Sequence, residues 1–199
     1  MNPKIEKLSK MFAKLPRVGG RGGLRIALSL LQDKTGKAEM LSATLAQIAS
    51  EIRPCEICGC LTDSEVCEFC RDVSRDNGIV CIVRDMGDVY TLEKSGAYSG
   101  RYHIIGGLIS GAAGMGPEDL NIESLVIREN ITEIIFALPN TVEGKTTQHY
   151  IKSKFEQRTT SNEQPVTFSE LAVGVPIGGD LDYMDEGTLS VALAGRKSI

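Results

Sequence analysis

Two closely spaced pairs of cysteines constrain the fold of this 199-residue chain more than any other feature. Each pair has the spacing Cys-x-x-Cys, and eight residues separate the two pairs. This spacing lets each pair direct two thiolates at one ion, and four thiolates make a closed tetrahedral structural zinc site with no open position for catalysis. We therefore predict that one zinc ion is bound by Cys55, Cys58, Cys67 and Cys70.

The chain has six cysteines, and the remaining two leave alternatives open. Cys60 follows the first pair and is a possible alternative ligand, whereas Cys81 lies in an apolar run and is predicted to be a buried core thiol. Two redox-active Cys-x-x-Cys motifs are the competing interpretation, but two such motifs are unusual at this separation. The cysteine segment is too short to bury a core of its own, so we expect the metal to fold it.

Composition and hydropathy exclude several classes of protein. The chain is 42% hydrophobic and 24% charged, which is typical of a globular protein. It contains no run of 18 apolar residues, and its first residues, MNPKIEKLSK, lack the apolar core of a signal peptide. We predict a cytoplasmic protein without a membrane partner, in which cysteines hold metal rather than form disulfides.

Charge is distributed unevenly along the chain. Residues 1–27 carry seven lysines and arginines against the single acid Glu6, a net charge of +6 in a chain whose total is −4. The rest of the chain therefore carries −10. A basic head on an acidic body predicts two surfaces for two partners, with nucleic acid as the partner of the head. The alternative is an ordinary solvated helix face.

Apolar spacing predicts three helices in the first 53 residues, over 3–15, 24–34 and 39–52. Pro16 and four glycines break the pattern between the first two helices. Glycines let backbone N–H groups approach a phosphate, and a helix N-terminus adds a favourable dipole. In such a hairpin, Arg21 and Arg25 would flank the phosphate.

The pattern changes after the cysteine segment. Short apolar runs at 79–83, 133–138 and 165–168 predict strands, and the first two resemble strands buried on both faces of a parallel sheet. Helical patterns lie between them at 118–130 and 146–158. Strand alternating with helix predicts an α/β layer fold.

The segment PNTVEGKT (139–146) resembles a phosphate-binding loop with one position wrong. Gly144, Lys145 and Thr146 fit the pattern, but Pro139 stands where the first glycine is required. Proline has no N–H group to offer a phosphate. A P-loop ATPase therefore remains only a minor interpretation, which nucleotide binding by Lys145 would support.

The order of these features resembles the RecR family of recombination mediator proteins. The resemblance covers nearly the whole chain and is carried by four stretches: LPRVGGRGGLRIAL (15–28), YHIIGGLISGAAGMGPEDL (102–120), TVEGKTTQHYI (141–151) and GVPIGGDLDYMDEGTL (174–189). It implies a helix-hairpin-helix DNA-binding region, a four-cysteine zinc finger, a Toprim-type α/β domain and a C-terminal segment with a helical extension. The implied boundaries are 1–53, 54–77, 78–173 and 174–199.

The resemblance also implies a function. Members act with RecO and RecF in recombinational DNA repair, load recombinase onto single-stranded gaps, and form a ring-like tetramer that can encircle DNA. They are not known for Toprim catalysis, so we expect no enzyme activity. The residues expected to contact DNA are Lys14, Arg17, Arg21 and Arg25.

Several positions depart from the family or Toprim pattern. Arg84 stands where a Toprim enzyme carries glutamate, and residues 139–141 stand where it carries Asp-x-Asp. A Toprim nuclease or primase-like enzyme is therefore the weaker alternative, since metal-dependent phosphoryl chemistry needs several carboxylates. The remaining acids, Asp85, Asp88 and Glu143, are expected to form the RecO-binding surface. Glu143 is the clearest candidate, and the alternative is that it is a solvated loop acid.

Two further expectations concern local conformation. Arg17 stands where the family usually has glycine, and it would cost about 1 kcal/mol if that position requires positive φ. Asp185 and Glu186 are expected at a helix N-terminus, where the dipole favours acids. His103 is expected to pack in the fold rather than to bind a ligand.

Overall fold

The computed structural model describes residues 2–158 and 165–196. The chain forms two compact units, Met1–Arg53 and Pro54–Ile199. None of the helices in the described part of the chain combines the length and the hydropathy of a membrane-spanning segment.

The first unit consists of three helices: α1 (Pro3–Ala13), α2 (Gly20–Gln32) and α3 (Lys37–Glu51). Asn2 caps α1 by accepting a hydrogen bond from the Lys4 N–H at 2.9 Å, and Pro3 occupies the first helical position. The helices lie where periodicity predicts them, except that α2 begins at Gly20 rather than at Leu24. The prediction that the glycines end the helical structure was wrong for Gly20, Gly22 and Gly23, which all belong to α2.

Gly23 explains why glycine belongs inside α2. A Cβ at this position would lie 2.5 Å from the Ser9 carbonyl oxygen and 2.7 Å from the Ala13 nitrogen. The missing side chain therefore lets α1 and α2 pack backbone against backbone. Within residues 2–53, the buried positions are small: Ser9, Gly23 and Ala27.

The helix α3 has its predicted apolar stripe, but the stripe is not covered. Leu41, Leu45, Ile48 and Ile52 are between 38% and 60% exposed. None of the residues of α3, all of which the structure describes, is buried. The stripe therefore contributes little to the stability of the unit in an isolated chain.

The cysteine segment begins where the first unit ends. It is built from two-residue strands β1 (Arg53–Pro54) and β2 (Leu61–Thr62) and a one-turn helix α4 (Glu68–Arg71). This segment packs on the edge of the main sheet, where the Ile104 N–H donates to the Cys58 carbonyl oxygen at 2.7 Å. The rings of Phe69 and Tyr102 meet edge to face with centroids 5.5 Å apart. The cysteines therefore join the core of the sheet rather than form an independent core.

The main sheet is parallel, with the strand order β4–β3–β5–β6. Its strands are β3 (Ile79–Val83), β4 (Arg101–Ile104), β5 (Glu133–Ala137) and β6 (Thr167–Glu170). Helices follow as α5 (Met86–Ser95), α6 (Glu123–Val126), α7 (Val142–Arg158) and α8 (Glu186–Ala194). The α/β fold is confirmed, because helices connect parallel strands as the alternating pattern predicts.

Alternate residues of β3 supply two separate cores. Cys81 and Val83 pack with the zinc-segment cysteines, Tyr102 and Val89. Val80 and Ile82 pack on the other face, in a cluster that contains Ile151 and Phe155 of α7. The predicted double burial of β3 is thus confirmed, and one face of the strand contacts the cysteine segment.

The structure differs from the expected elements in several places. The helix expected over 118–130 is reduced to a 3-10 turn, Pro117–Asp119, and to the single turn α6. Asn121 accounts for the interruption, because its side-chain amide donates to the Ile104 carbonyl oxygen at 3.1 Å. The strand β4 was not predicted, since His103 and Tyr102 are polar residues that only the fold buries.

The first residue of α7 differs from the prediction, whereas the start of α8 agrees with it. α7 begins at Val142, four residues before the predicted start at Thr146. Asp185 is the N-cap of α8 and accepts from the Thr188 N–H at 3.0 Å, and Glu186 lies in the first turn. The expected positions of these two acids are confirmed.

Candidate metal centre and nucleic-acid interface

The four cysteines predicted to bind zinc converge in the second unit. One sulfur from each of Cys55, Cys58, Cys67 and Cys70 lies within 4.8 Å of the others, and all four side chains are buried. The sulfurs of Cys58 and Cys67 lie 3.4 Å apart. Among the residues that the structure describes, this is the single group of histidine, cysteine or acidic side chains close enough to hold a metal.

Backbone groups orient the sulfurs for a cation. The Cys60 N–H points at the Cys58 sulfur at 3.5 Å, and the Cys67 N–H points at the Cys55 sulfur at 3.4 Å. Gly59 permits this turn with φ +75, and a Cβ there would lie 2.8 Å from the Asn121 amide nitrogen. N–H donors at sulfur stabilise the thiolate form, which is the form that binds metal.

The sulfurs of the group lie close enough to influence one another's pKa. Hydrogen bonds with Cys60 and Cys67 raise the pKa of Cys58, and hydrogen bonds with Cys58 and Cys67 raise the pKa of Cys70. Hydrogen bonds from Cys58, Cys60 and Cys70 lower the pKa of Cys67. A bound dication would stabilise all four sulfurs as thiolates, the form that binds metal. The donor set fits one structural zinc ion.

The two other cysteines lie outside this group of four. Cys81 is 2% exposed in β3, and burial raises the pKa of its thiol to about 12, so the prediction of a core thiol is confirmed. Cys60 is fully buried next to the group. His103 is also packed in the fold: its Nε2 lies 2.6 Å from the Asn121 carbonyl oxygen, and burial lowers its pKa to about 4.

The turn between α1 and α2 forms the predicted hairpin. Arg17 has φ 61, so a non-glycine residue occupies the left-handed region at this position. Gly19 is the N-cap of α2 and provides no side-chain cap, and the first turn of α2 carries no acid. No atom lies within 4 Å of where a Cβ of Gly19 or Gly20 would stand, so the N-terminus of α2 is open to an anion.

The basic residues expected at this hairpin are all exposed. Arg21 and Arg25 lie one turn apart on α2, on the side opposite the buried Gly23 and Ala27. The four solvent-exposed residues are Lys14, Arg17, Arg21 and Arg25. Their cations therefore lie on the same hairpin as the open helix N-terminus.

Acids and a cation meet where β3 ends. The Arg84 Nε pairs with Asp85 at 2.9 Å, and the Asp85 carboxylate also caps α5 by accepting the N–H groups of Gly87 and Asp88. Partial burial is the largest single influence on Asp85 and opposes its ionisation, but the hydrogen bonds from Arg84, Asp88 and Gly87 and the charge of Arg84 together lower the pKa of that carboxyl. Asp88 accepts from the Arg84 N–H at 3.2 Å. Both acids therefore already have partners in this chain.

The segment that resembles a phosphate-binding loop has a packing explanation. A Cβ on Gly144 would lie 1.9 Å from the Pro139 carbonyl oxygen, so glycine is required by the strand-to-helix turn. Thr141 accepts from the Gly144 N–H at 3.2 Å, and Lys145 forms an ion pair with Glu170 of β6. The carboxylate of the partly buried Glu143 has no hydrogen bond or ion pair among the described residues.

Sequence reasoning missed Glu170 as the partner of Lys145. The two residues are far apart in the chain and become neighbours because β6 lies beside β5, with Phe136 opposite Glu170. No local pattern signals such a pair. The exposure of the α3 stripe was equally hidden, because periodicity shows that a face is apolar but not what covers it.

Comparison with known proteins identifies the family. Three sequence models match: the RecR four-cysteine zinc finger domain at residues 52–72, a Toprim domain at 78–165 and the RecR C-terminal region at 174–197. Proteins named Recombination protein RecR are similar over nearly their whole lengths. The one from Rhodospirillum rubrum is 42% identical, covering 98% of both chains, and the one from Jannaschia sp. is 43% identical, covering 98% of this chain and 96% of its own. The chain therefore belongs to the RecR family of recombination proteins.

Proposed function

We propose that this protein is a DNA-binding recombination mediator in recombinational DNA repair. It acts with RecO and RecF in the cytoplasm to load recombinase onto single-stranded gaps, and it is not an enzyme. The name of its relatives supports the general role. The observation that carries DNA binding is the open N-terminus of α2 with Arg21 and Arg25 exposed beside it.

The DNA contact is proposed to be a phosphate contact. Free N–H groups at the first turn of α2 can donate to a phosphate oxygen, and the two arginines add positive charge on the same helix. Lys14 and Arg17 extend this charge into the turn. Such contacts hold the DNA backbone without reading its sequence.

The test is salt-dependent DNA binding by Arg21→Ala/Arg25→Ala. Affinity should fall alike for all sequences, and the slope of log K against log salt should decrease by roughly 1 for each phosphate contact that the substitutions remove. Arg71→Ala/Lys94→Ala is the matched control, because it removes two exposed cations from the second unit. Binding by the first variant that equals wild type at every salt concentration would place the DNA surface elsewhere.

The protein is also proposed to assemble into a ring-like tetramer, which would present several DNA-binding patches at once. The uncovered α3 stripe supports assembly, since a second copy could bury it. The proposed domains are the helix-hairpin-helix region 1–53, the zinc finger 54–77, the Toprim domain 78–173 and the C-terminal segment 174–199. Sedimentation of Leu45→Ser/Ile48→Ser should show smaller species than wild type, and unchanged sedimentation would contradict a role for this stripe.

RecO is proposed to bind the acidic residues at the ends of β3 and β5. Glu143 is the best candidate, because Asp85 and Asp88 already bond within the chain. Glu143→Lys should weaken association with RecO and leave DNA binding intact or stronger. Glu129→Lys, also a charge reversal but at an exposed position before β5, should leave the association unchanged.

The rival function, a Toprim nuclease or primase-like enzyme, makes a different prediction. Arg84 stands where that chemistry needs a glutamate, and its guanidinium pairs with Asp85. We expect no cleavage, strand joining or primer synthesis with magnesium or manganese. Nicking that disappears in Glu143→Ala would favour the enzyme instead.

A further inference from the structure

A small cavity lies at the N-terminal edge of the main sheet, opposite the edge where Asp85 and Glu143 follow β3 and β5. Its volume is about 140 Å³. Its walls include the first residues of β3 and β4, the loop before β5, and Ile57 of the cysteine segment. Ordinary ligand pockets measure roughly 300–1,000 Å³, so this cavity fits one small chemical group rather than a whole nucleotide.

Arg128 brings a positive charge to this cavity without an acidic partner. One of its terminal nitrogens donates to the Tyr102 carbonyl oxygen at 3.2 Å, and its guanidinium forms no ion pair with any described residue. Glu129 also lines the cavity, but it is exposed and has no ion pair among the described residues either. The charge of Arg128 is therefore available to an anion.

Arg101 supplies a second guanidinium, and only part of it is bonded. Its Nη1 pairs with Asp76 at 2.9 Å, so the other acid in the cavity wall balances the charge of this arginine. The Arg101 Nε is buried and has no hydrogen-bond partner among the described residues. Buried donors in proteins are nearly always bonded, and an oxygen of a bound anion would serve as the acceptor for this one.

The backbone of the loop before β5 adds further donors. The N–H groups of Glu129, Asn130 and Ile131 donate to no acceptor among the described residues. Asn130 has φ 59, in the left-handed region. Successive free N–H groups at such a turn form the concavities in which proteins bind anions, phosphate among them. The cavity thus combines backbone donors with guanidinium groups, which bind phosphate through charge-assisted hydrogen bonds.

We propose that this cavity binds a phosphate group, either as inorganic phosphate or as the terminal phosphate of a nucleic-acid strand. The anion lies against Arg128, accepts hydrogen bonds from the loop 129–131 and is held on its other side by Arg101. A phosphate group carries close to two negative charges and three strong acceptor oxygens, whereas a carboxylate carries one charge and two oxygens. The number of donors therefore favours phosphate.

The test is a calorimetric titration of the full-length, zinc-loaded protein with inorganic phosphate at constant ionic strength. Wild type should bind phosphate at one site per chain. Arg128→Gln should bind it at least about tenfold more weakly, because the variant loses a charge-assisted contact but keeps a donor for the Tyr102 carbonyl oxygen. Arg71→Gln is the matched control, since it removes an exposed arginine from α4, and it should bind like wild type.

Two results of this titration would overturn the proposal. The first is no binding by wild type at millimolar phosphate. The second is equal affinity of wild type and Arg128→Gln, which would make Arg128 only a support for the edge of β4.

A pair of substitutions at Asn130 tests the backbone donors, and it decides the matter if Arg128→Gln does not fold. Asn130→Gly retains the left-handed conformation and should bind phosphate like wild type. Asn130→Val disfavours that conformation and should weaken binding several-fold. Equal affinity of these two variants would refute the proposal.

Oligonucleotides with and without a 5′-phosphate distinguish the two sources of the phosphate group. Tighter binding of the phosphorylated strand, with the difference lost in Arg128→Gln, would identify a strand end as the ligand. Equal binding of the two strands by a protein that still binds inorganic phosphate in the titration would identify free phosphate.

Discussion

The two units of this protein are stabilised by different means. Within residues 2–53, the buried positions are Ser9, Gly23 and Ala27, so α1 and α2 are held by close backbone contact. The second unit buries large side chains on both faces of β3 and adds four metal-binding sulfurs to one of the two clusters. The comparison teaches that the first unit depends on close backbone fit, whereas the second unit has its own core of large side chains.

The largest effect should come from the metal. Cys67→Ser, or removal of zinc by a chelator, should unfold the cysteine segment and much of the adjoining sheet face. Structural zinc binding is worth about 10–16 kcal/mol in isolated fingers, comparable to the whole stability of a domain. Metal analysis and circular dichroism melting measure the loss.

The zinc experiment also tests the separation of the two units. Helical signal from residues 3–51 should survive metal removal, because no ligand lies in the described part of the first unit. Cys81→Ser controls for loss of a buried thiol outside the site. A purified protein that contains well under one zinc per chain and melts like the loaded form would contradict a structural role for the metal.

The close packing of α1 on α2 is tested by Gly23→Ala. The added Cβ would approach the Ser9 carbonyl oxygen to 2.5 Å, so the helices must move apart at a cost of about 1–3 kcal/mol. Gly20→Ala is the control, because no atom lies within 4 Å of its Cβ, and it should be neutral or stabilising. If denaturant unfolding gives the same stability for both variants, close helix contact does not stabilise the first unit.

A partly buried ion pair in the body gives a smaller effect that depends on pH. Arg75 binds both carboxylate oxygens of Glu93, at 2.9 and 2.7 Å, and the Tyr102 hydroxyl donates to the same carboxylate at 2.7 Å. The hydrogen bond from Arg75 lowers the pKa of Glu93 from 4.5. The contribution of ionised Glu93 to folding stability is therefore complete above about pH 4.5, and it is lost as pH falls through the lower pKa that Glu93 has in the folded state.

The corresponding variant is Glu93→Gln. It should cost about 1 kcal/mol at pH 7, since the pair is partly exposed, and it should flatten the decline in stability below pH 4.5. Glu129→Gln, at an exposed position outside this network, should change neither property. Equal acid sensitivity of wild type and Glu93→Gln would show that other groups control the acid transition.

The smallest effect is expected at the hairpin of the first unit. Arg17 occupies the left-handed region with φ 61, so Arg17→Gly should stabilise the protein by about 0.5–1 kcal/mol. If Arg17 also contacts phosphate, the same variant should bind DNA more weakly and with a lower salt dependence. Calorimetry and DNA titration separate the two effects, and Lys14→Gly, at a position with φ −80, should not be stabilising.

The parts of the fold that were predicted correctly are those whose cause lies within a short stretch of the sequence. The strand β3 was placed correctly because a five-residue apolar run has few other uses, and the four cysteines converge as expected because their spacing brings four sulfurs together. The prediction of one helix over 118–130 was wrong because the Asn121 side chain bonds to β4, a strand that the sequence pattern does not reveal. The positive φ of Arg17 was anticipated only from the resemblance to a family.

By itself, the sequence determined the metal, the order of the elements and the basic head, because spacing, periodicity and charge are properties of neighbouring residues. Tertiary structure alone decided that Gly23 lies at a helix crossing, that Lys145 pairs with Glu170, and that Asn121 bonds to Ile104. These relations join segments through packing and strand pairing. Their free energy depends on atoms that approach only after the chain has folded, so no local pattern encodes them.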